Sequence, residues 1–138
     1  GAYEALPGET KQRIEGKSVV QVHEYHRLER PSPEAERPDA LQFAHPAVIV
    51  HPETGRKALF VNRLMSASVV GMEADESEAL LEELFDRSED PAKILSHNWR
   101  PGDLVMWDNR CTIHGRADFP ETARRILRRT TVIGERPS

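Results

Sequence analysis

His114 is followed at positions 125 and 129 by arginines, within the run WDNRCTIHGRADFPETARRILRRTT. An imidazole can ligate a metal, and a guanidinium is a planar fork for a carboxylate, sulfonate or phosphate. Together they point to an anion bound beside a metal. One imidazole does not hold a catalytic metal firmly, however. HxxxH, HExxH and HxD are absent, His23 and His26 form only a loose pair, and neither His51 nor His97 has a carboxylate at ligand spacing. The sequence by itself supplies no closed metal site, and an isolated histidine is ordinarily a hydrogen-bonded or surface residue.

The elements that must position these residues can be read from the patterning. Tyr3, Leu6 and Ile14 predict two short helical pieces around Pro7, ended by Gly16. Residues 18–23 read as a strand or a last helical turn. Residues 27–46 hold four prolines among charges and read as a surface loop. Residues 47–50 and 58–61 are β-rich runs around His51-Pro52-Glu53-Thr54-Gly55-Arg56, which predicts a hairpin. Asp75 or Ser77 is the expected cap of a helix whose Leu80, Leu81, Leu84 and Phe85 form one apolar stripe and whose glutamates form a solvated face. Asp90-Pro91 stops it. Strands are then expected at Ile94–Trp99, Leu104–Trp107, Thr112–His114 and Arg125–Ile133, with a turn at Pro101-Gly102-Asp103. Many strands with one packed helix predict a mainly β fold, a sandwich or jelly roll.

Composition bounds the function classes. The 138 residues are 38% hydrophobic and 30% charged, enough for one domain with a core and on the polar side of average. The net charge of −4 conceals an acidic excess over 73–90 and a basic one over 124–136. The basic run alternates arginines with Ile126, Leu127 and Val132, which argues against a nucleic-acid surface. A single cysteine, Cys111, excludes an internal disulfide and a thiolate cluster. No apolar run approaches the roughly 20 residues of a membrane span, and a cytoplasmic protein is expected. The chain starts without methionine inside a predicted helix, so a piece of a larger fold is also expected.

From His45 onward three stretches, HPAVIVHPETGRKALFVNRLM, WRPGDLVMWDNRCTIHGRADFP and RRILRRTTVIGERP, resemble the taurine dioxygenase and 2,4-dichlorophenoxyacetate dioxygenase family of Fe(II)- and 2-oxoglutarate-dependent oxygenases. The opening AYEALP is similar to the segment just after that family's first metal-binding motif. The resemblance covers essentially residues 1–138 as a single partial domain, the C-terminal portion of a double-stranded β-helix with flanking helices. Its combined WDNR, His and double-arginine pattern is specific, although each piece alone is weak.

Several roles follow from the resemblance alone. The family holds iron with a His-x-Asp pair and a distant histidine, leaving positions for a bidentate 2-oxo acid and O₂. The distant histidine matches His114, and the pair would lie before Gly1, so the 138 residues alone should be inactive. Arg125 matches the arginine that pairs with the far carboxylate of 2-oxoglutarate; a solvated strand arginine is the plainer alternative. Arg129, on the same strand face by alternation, matches the arginine for the substrate's sulfonate or carboxylate. Arg124 and Arg128 would then point outward. Trp107 resembles a wall beside the iron pocket, although a core tryptophan explains it nearly as well. Asn62 and Met65 occupy substrate-pocket positions, and Met65 replaces an aromatic wall of the taurine enzyme. Asp108 and Arg110 are expected to fix the turn before His114. The expected activity is hydroxylation of a small anionic substrate with conversion of 2-oxoglutarate to succinate and CO₂. No nucleic acid or membrane partner is expected, and a homo-oligomer is allowed. The other reading is a non-catalytic β-sandwich module that binds a small anion.

Overall fold

The computed structural model describes residues 1–23, 41–120, 122 and 124–134. Its elements are α1 (Gly8–Ile14), β1 (Ser18–His23), β2 (Leu41–Pro46), β3 (Val48–Val50), β4 (Lys57–Leu59), β5 (Ser66–Val69), α2 (Ala74–Ser88) and a 3₁₀ turn at Pro91–Lys93. Among the described residues no helix is long and apolar enough to cross a membrane.

Pro7 stands at the N-cap of α1, where its missing N–H costs nothing, and the helix buries Thr10 and Ile14, four residues apart on one face. The expected helical piece before Pro7 is a turn instead. Gly16, at φ 67, then reverses the chain into β1 in a conformation that side chains disfavour. β1 is the centre of a three-stranded sheet ordered β2-β1-β5, antiparallel on both sides. Its pairing with β5 shifts register between Val20 and Gln21, which face Ser68 and Ser66. The alternation breaks there, and Ser66, Ala67 and Val69 are all buried.

The expected hairpin is present as β3 and β4, in register Val48↔Leu59 to Val50↔Lys57. Its loop closes with His51 N donating to Arg56 O (2.9 Å) and Gly55 N donating to His51 O (2.8 Å). Gly55, at φ 69, allows that closure. The apolar stripe of α2 is also present, with Leu80, Leu81, Leu84 and Phe85 fully buried. They pack with Leu6, Ile14, Val19, Ala47, Val61 and Val69 into one core.

Some expectations are corrected. The N-cap of α2 is Glu73, with no side-chain cap. Ser77 instead lies inside the helix and accepts the Val69 N–H (2.8 Å), joining α2 to β5. The acidic face of α2 is partly paired: Arg63 reaches Glu82 (2.5 Å), Asp86 (3.1 Å) and Glu89 (3.2 Å), while Thr10 donates to Glu83 (2.6 Å). Residues 41–46, expected in the surface loop, form β2, because β1 offers a ladder of six partners from Ser18↔Pro46 to His23↔Leu41. Residues 27–40 of that loop, and His26, lie outside the described residues.

The larger correction concerns residues 94–134. None of the four expected strands forms there. Leu95 is 94% exposed and Ile133 97% exposed. A β-rich sequence becomes a strand only against an edge that pairs its backbone and a surface that covers one face. Among the described residues no strand pairs with this segment. Over the described residues the fold is mixed α/β, with two small sheets that do not close into a barrel.

Candidate functional site

The turn that precedes His114 is built from its own residues. Asp108 Oδ1 accepts the backbone N–H of Arg110 (2.8 Å), and the Arg110 side chain returns to the same carboxylate through Nε (2.9 and 3.0 Å) and Nη2 (2.6 Å). This charge-assisted fork holds the Asp108 carboxyl well below the usual carboxylate range, chiefly through the Arg110 side chain and then its backbone N–H. Asp108 in turn raises Arg110 above the ordinary arginine value. Cys111 N donates to Asp108 O (3.3 Å), and Trp107 Nε1 donates to Asn109 Oδ1 (2.9 Å). The sequence-based expectation for Asp108 and Arg110 describes this turn well.

The turn brings Trp107 to His114. Their ring centroids are 4.8 Å apart, with planes tilted by 47°. Trp107 is 38% exposed, so it is no core tryptophan in this fold. His114 is exposed. Arg125 lies over the Phe119 ring at 5.6 Å, with Arg116 on the same ring at 5.1 Å. Arg129 is exposed, and among the described residues no carboxylate pairs with it or with Arg125. The alternation that separated Arg125 and Arg129 from Arg124 and Arg128 does not apply, because residues 125–133 are not a strand.

Asn62 and Met65 lie in the connection from β4 to β5 and are half-buried. Asn62 Oδ1 accepts the Met65 N–H (2.9 Å), and Met65 O accepts the Val22 N–H (2.9 Å). Their visible work is to shape that turn. Among the described residues no hydrogen bond or ring contact joins either of them to His114.

Sequence spacing missed two histidine–carboxylate pairs. His51 Nε2 is 3.1 Å from Asp108 Oδ2, across 57 residues of chain. His97 Nε2 is 3.0 Å from Asp103 Oδ2, across a turn in which Gly102 takes φ 93. The second was accessible from the Pro-Gly-Asp turn, since the chain reverses between the two residues. The first had no local signal.

The described residues bring one set of three potential metal ligands together: His51, Asp108 and Cys111, with donor atoms within 4.8 Å of one another. It is an atypical set, lacks a second histidine, and does not include His114. Both Asp108 oxygens also hold Arg110. Among the described residues no carboxylate converges on His114, so these residues alone do not fit an iron ion held by two histidines and one carboxylate.

Residues 1–131 match the family described as Taurine catabolism dioxygenase TauD, TfdA family. An (S)-phenoxypropionate/alpha-ketoglutarate-dioxygenase of Sphingobium herbicidovorans is 43% identical over 90 residues, which are 65% of this chain and 31% of that protein. An alpha-ketoglutarate-dependent 2,4-dichlorophenoxyacetate dioxygenase of Burkholderia sp. (strain RASC) is 34% identical over 138 residues, covering 98% of this chain and 46% of the relative. The crystal structure of a taurine dioxygenase from Burkholderia xenovorans superposes with a TM-score of 0.58 at 34% identity, over 73% of this chain and 32% of that one. The chain thus spans a third to half the length of these relatives.

Proposed function

This chain belongs to the TauD, TfdA family of dioxygenases, and we propose that it supplies the distal-histidine half of an Fe(II)- and 2-oxoglutarate-dependent dioxygenase for small anionic substrates. In this reading the chain is the C-terminal portion of the family's jelly roll. His114 is one iron ligand, and a histidine and a carboxylate from outside these 138 residues complete the set. Arg125 takes the far carboxylate of 2-oxoglutarate, and Arg129 takes the sulfonate, sulfate or carboxylate of the substrate. Trp107 flanks the metal position, while Asn62 and Met65 border the substrate.

The observation that carries the reading is the anchored Trp107–Cys111 turn with the Trp107 ring against His114. It presents one imidazole against an aromatic wall. The arginines support it as well: Arg125 and Arg129 have no carboxylate partner among the described residues, as a clamp for a mobile anion requires. The names of the relatives point to aryloxy acids as one substrate class.

The test is an anaerobic Fe(II) titration of a polypeptide that spans the full family domain. Binding should be tight with His114 present and weakened at least tenfold in His114→Ala. A non-catalytic anion-binding module has no use for His114, and equal iron binding by both versions would establish that reading instead.

A further inference from the structure

The most developed polar cluster without a role so far is the meeting of the β3–β4 loop with the Trp107–Cys111 turn. A metal does not explain it well. A metal-bound histidine normally donates its second ring N–H to an acceptor, and His51 Nδ1 is buried without any hydrogen-bond partner. The arrangement is satisfied more simply. If Nε2 carries the proton and donates to Asp108 Oδ2 at 3.1 Å, Nδ1 is left as a bare lone pair rather than a stranded donor.

We propose that His51 is a positioning residue: from the β3–β4 loop it holds Asp108, and through that turn it keeps Trp107 and His114 together. The proposal rests on the role given to His114 above. Its physical basis is connectivity. Among the described residues, apart from the local bond of Ile94 N to Pro91 O (3.3 Å) where the segment begins, the hydrogen bonds that join residues 94–134 to the rest of the fold are His51–Asp108 and Arg110 to both Glu53 oxygens (3.4 Å each). Both reach the same loop and the same turn. Glu53 is well exposed and its contact is long, so the shorter bond from the nearly buried His51 is the stronger hold.

The loop is suited to this task. His51 is locked through its own backbone, its N–H to Arg56 O and its carbonyl from Gly55 N, immediately after β3. Its ring is buried and bonded to Asp108, which restricts its rotamers. Asp108 is the hub on the other side, since its two oxygens accept from Arg110 within the turn and from His51 across it. Moving Asp108 moves the neighbouring Trp107, whose ring rests on His114.

Indole fluorescence tests this in the chain as it stands. The sequence has two tryptophans, so Trp99→Phe leaves Trp107 as the emitter. A protonated imidazole in contact quenches indole emission, and at acidic pH His114→Ala should therefore brighten Trp107. This increment is then measured with His51 intact, as His51→Ala and as His51→Gln, a double-mutant cycle at one pH. The increment should be present with His51, lost in His51→Ala, and recovered in His51→Gln, whose amide N–H can reach the place of Nε2–H. Asp108→Ala should also abolish it, and this change on the exposed segment leaves the buried core untouched. Far-UV circular dichroism confirms that α2 and the sheets persist. An undiminished increment in His51→Ala or Asp108→Ala would overturn the proposal, and so would a loss that glutamine fails to restore. Failure of the iron-ligand role would appear in the metal titration and leave this cycle unchanged.

Discussion

Arg125 and Glu4 show how differently two charged side chains can stand in one chain. Arg125 meets an aromatic ring and no described carboxylate, so its guanidinium is available to an incoming anion. In a polypeptide covering the whole family domain, Arg125→Ala should weaken 2-oxoglutarate binding by about 2–5 kcal/mol, the scale of losing one partner of a desolvated charge pair. Arg124→Ala should change it little. Isothermal titration with 2-oxoglutarate checks both, and equal effects would remove Arg125 from its proposed role. Glu4, by contrast, is fully committed. Arg56 approaches it through Nε and Nη2 at 2.8–3.1 Å, and the α-amino group of Gly1 also reaches it. Its pKa is lowered from 4.5 to about 2, first by Arg56 and then by that amine. A depressed carboxylate stabilises the fold above its unfolded pKa and loses that contribution as pH falls through its folded pKa. The difference in melting temperature between the native chain and Glu4→Gln should therefore shrink between pH 4.5 and about 2. The pair is exposed, so the difference should be small and should fade with salt.

Helix α2 carries much of the packing of the body, and the hairpin places the loop that meets the site. Leu80, Leu81, Leu84 and Phe85 are fully buried and lie against β5 and the end of α1. Leu84→Ala removes packed atoms and leaves a cavity, at a cost of about 2–5 kcal/mol. Thermal or urea unfolding followed at the helix band of the circular dichroism spectrum should show it. Leu95→Ala, at a site 94% exposed, should leave the same transition unmoved. The hairpin contributes in another way. It is short, three residues to a strand, but its loop presents His51 and Glu53 to the turn before His114. Its position in the fold matters more to the site than its own ladder does.

The described residues divide into a packed body up to the Pro91–Lys93 turn and a segment over 94–120, 122 and 124–134 without helix or strand. That segment carries Leu104, Met106, Ile126 and Val132, all strongly exposed. Apolar side chains on β-prone backbone with unpaired N–H and C=O groups seek another edge. The 138 residues alone should therefore self-associate at micromolar concentration, and light scattering should detect it. A variant with Leu104, Met106, Ile126 and Val132 replaced by serine should scatter less. A monodisperse monomer of the unaltered chain would contradict the expectation. The isolated residues should also release no succinate from 2-oxoglutarate in the presence of iron and aryloxy acids or sulfonates, because one imidazole does not make an iron site.

The amphipathic stripe of α2 and the β3–β4 hairpin were legible in the primary structure because their signals are local. Helical periodicity and a glycine-bearing turn between two β-rich runs need no distant partner to be read. The family was legible for a related reason, since the WDNR word, the histidine and the paired arginines lie within 23 residues. Three-dimensional arrangement settled the rest. Residues 41–46 became a strand because β1 lay alongside, whereas the β-rich residues 125–133 stayed irregular, with no strand among the described residues pairing with them. His51 met Asp108 for the same reason, across 57 residues and without any motif. Backbone pairing and side-chain contact between distant segments depend on which surfaces the fold brings together, and composition and spacing carry no record of that.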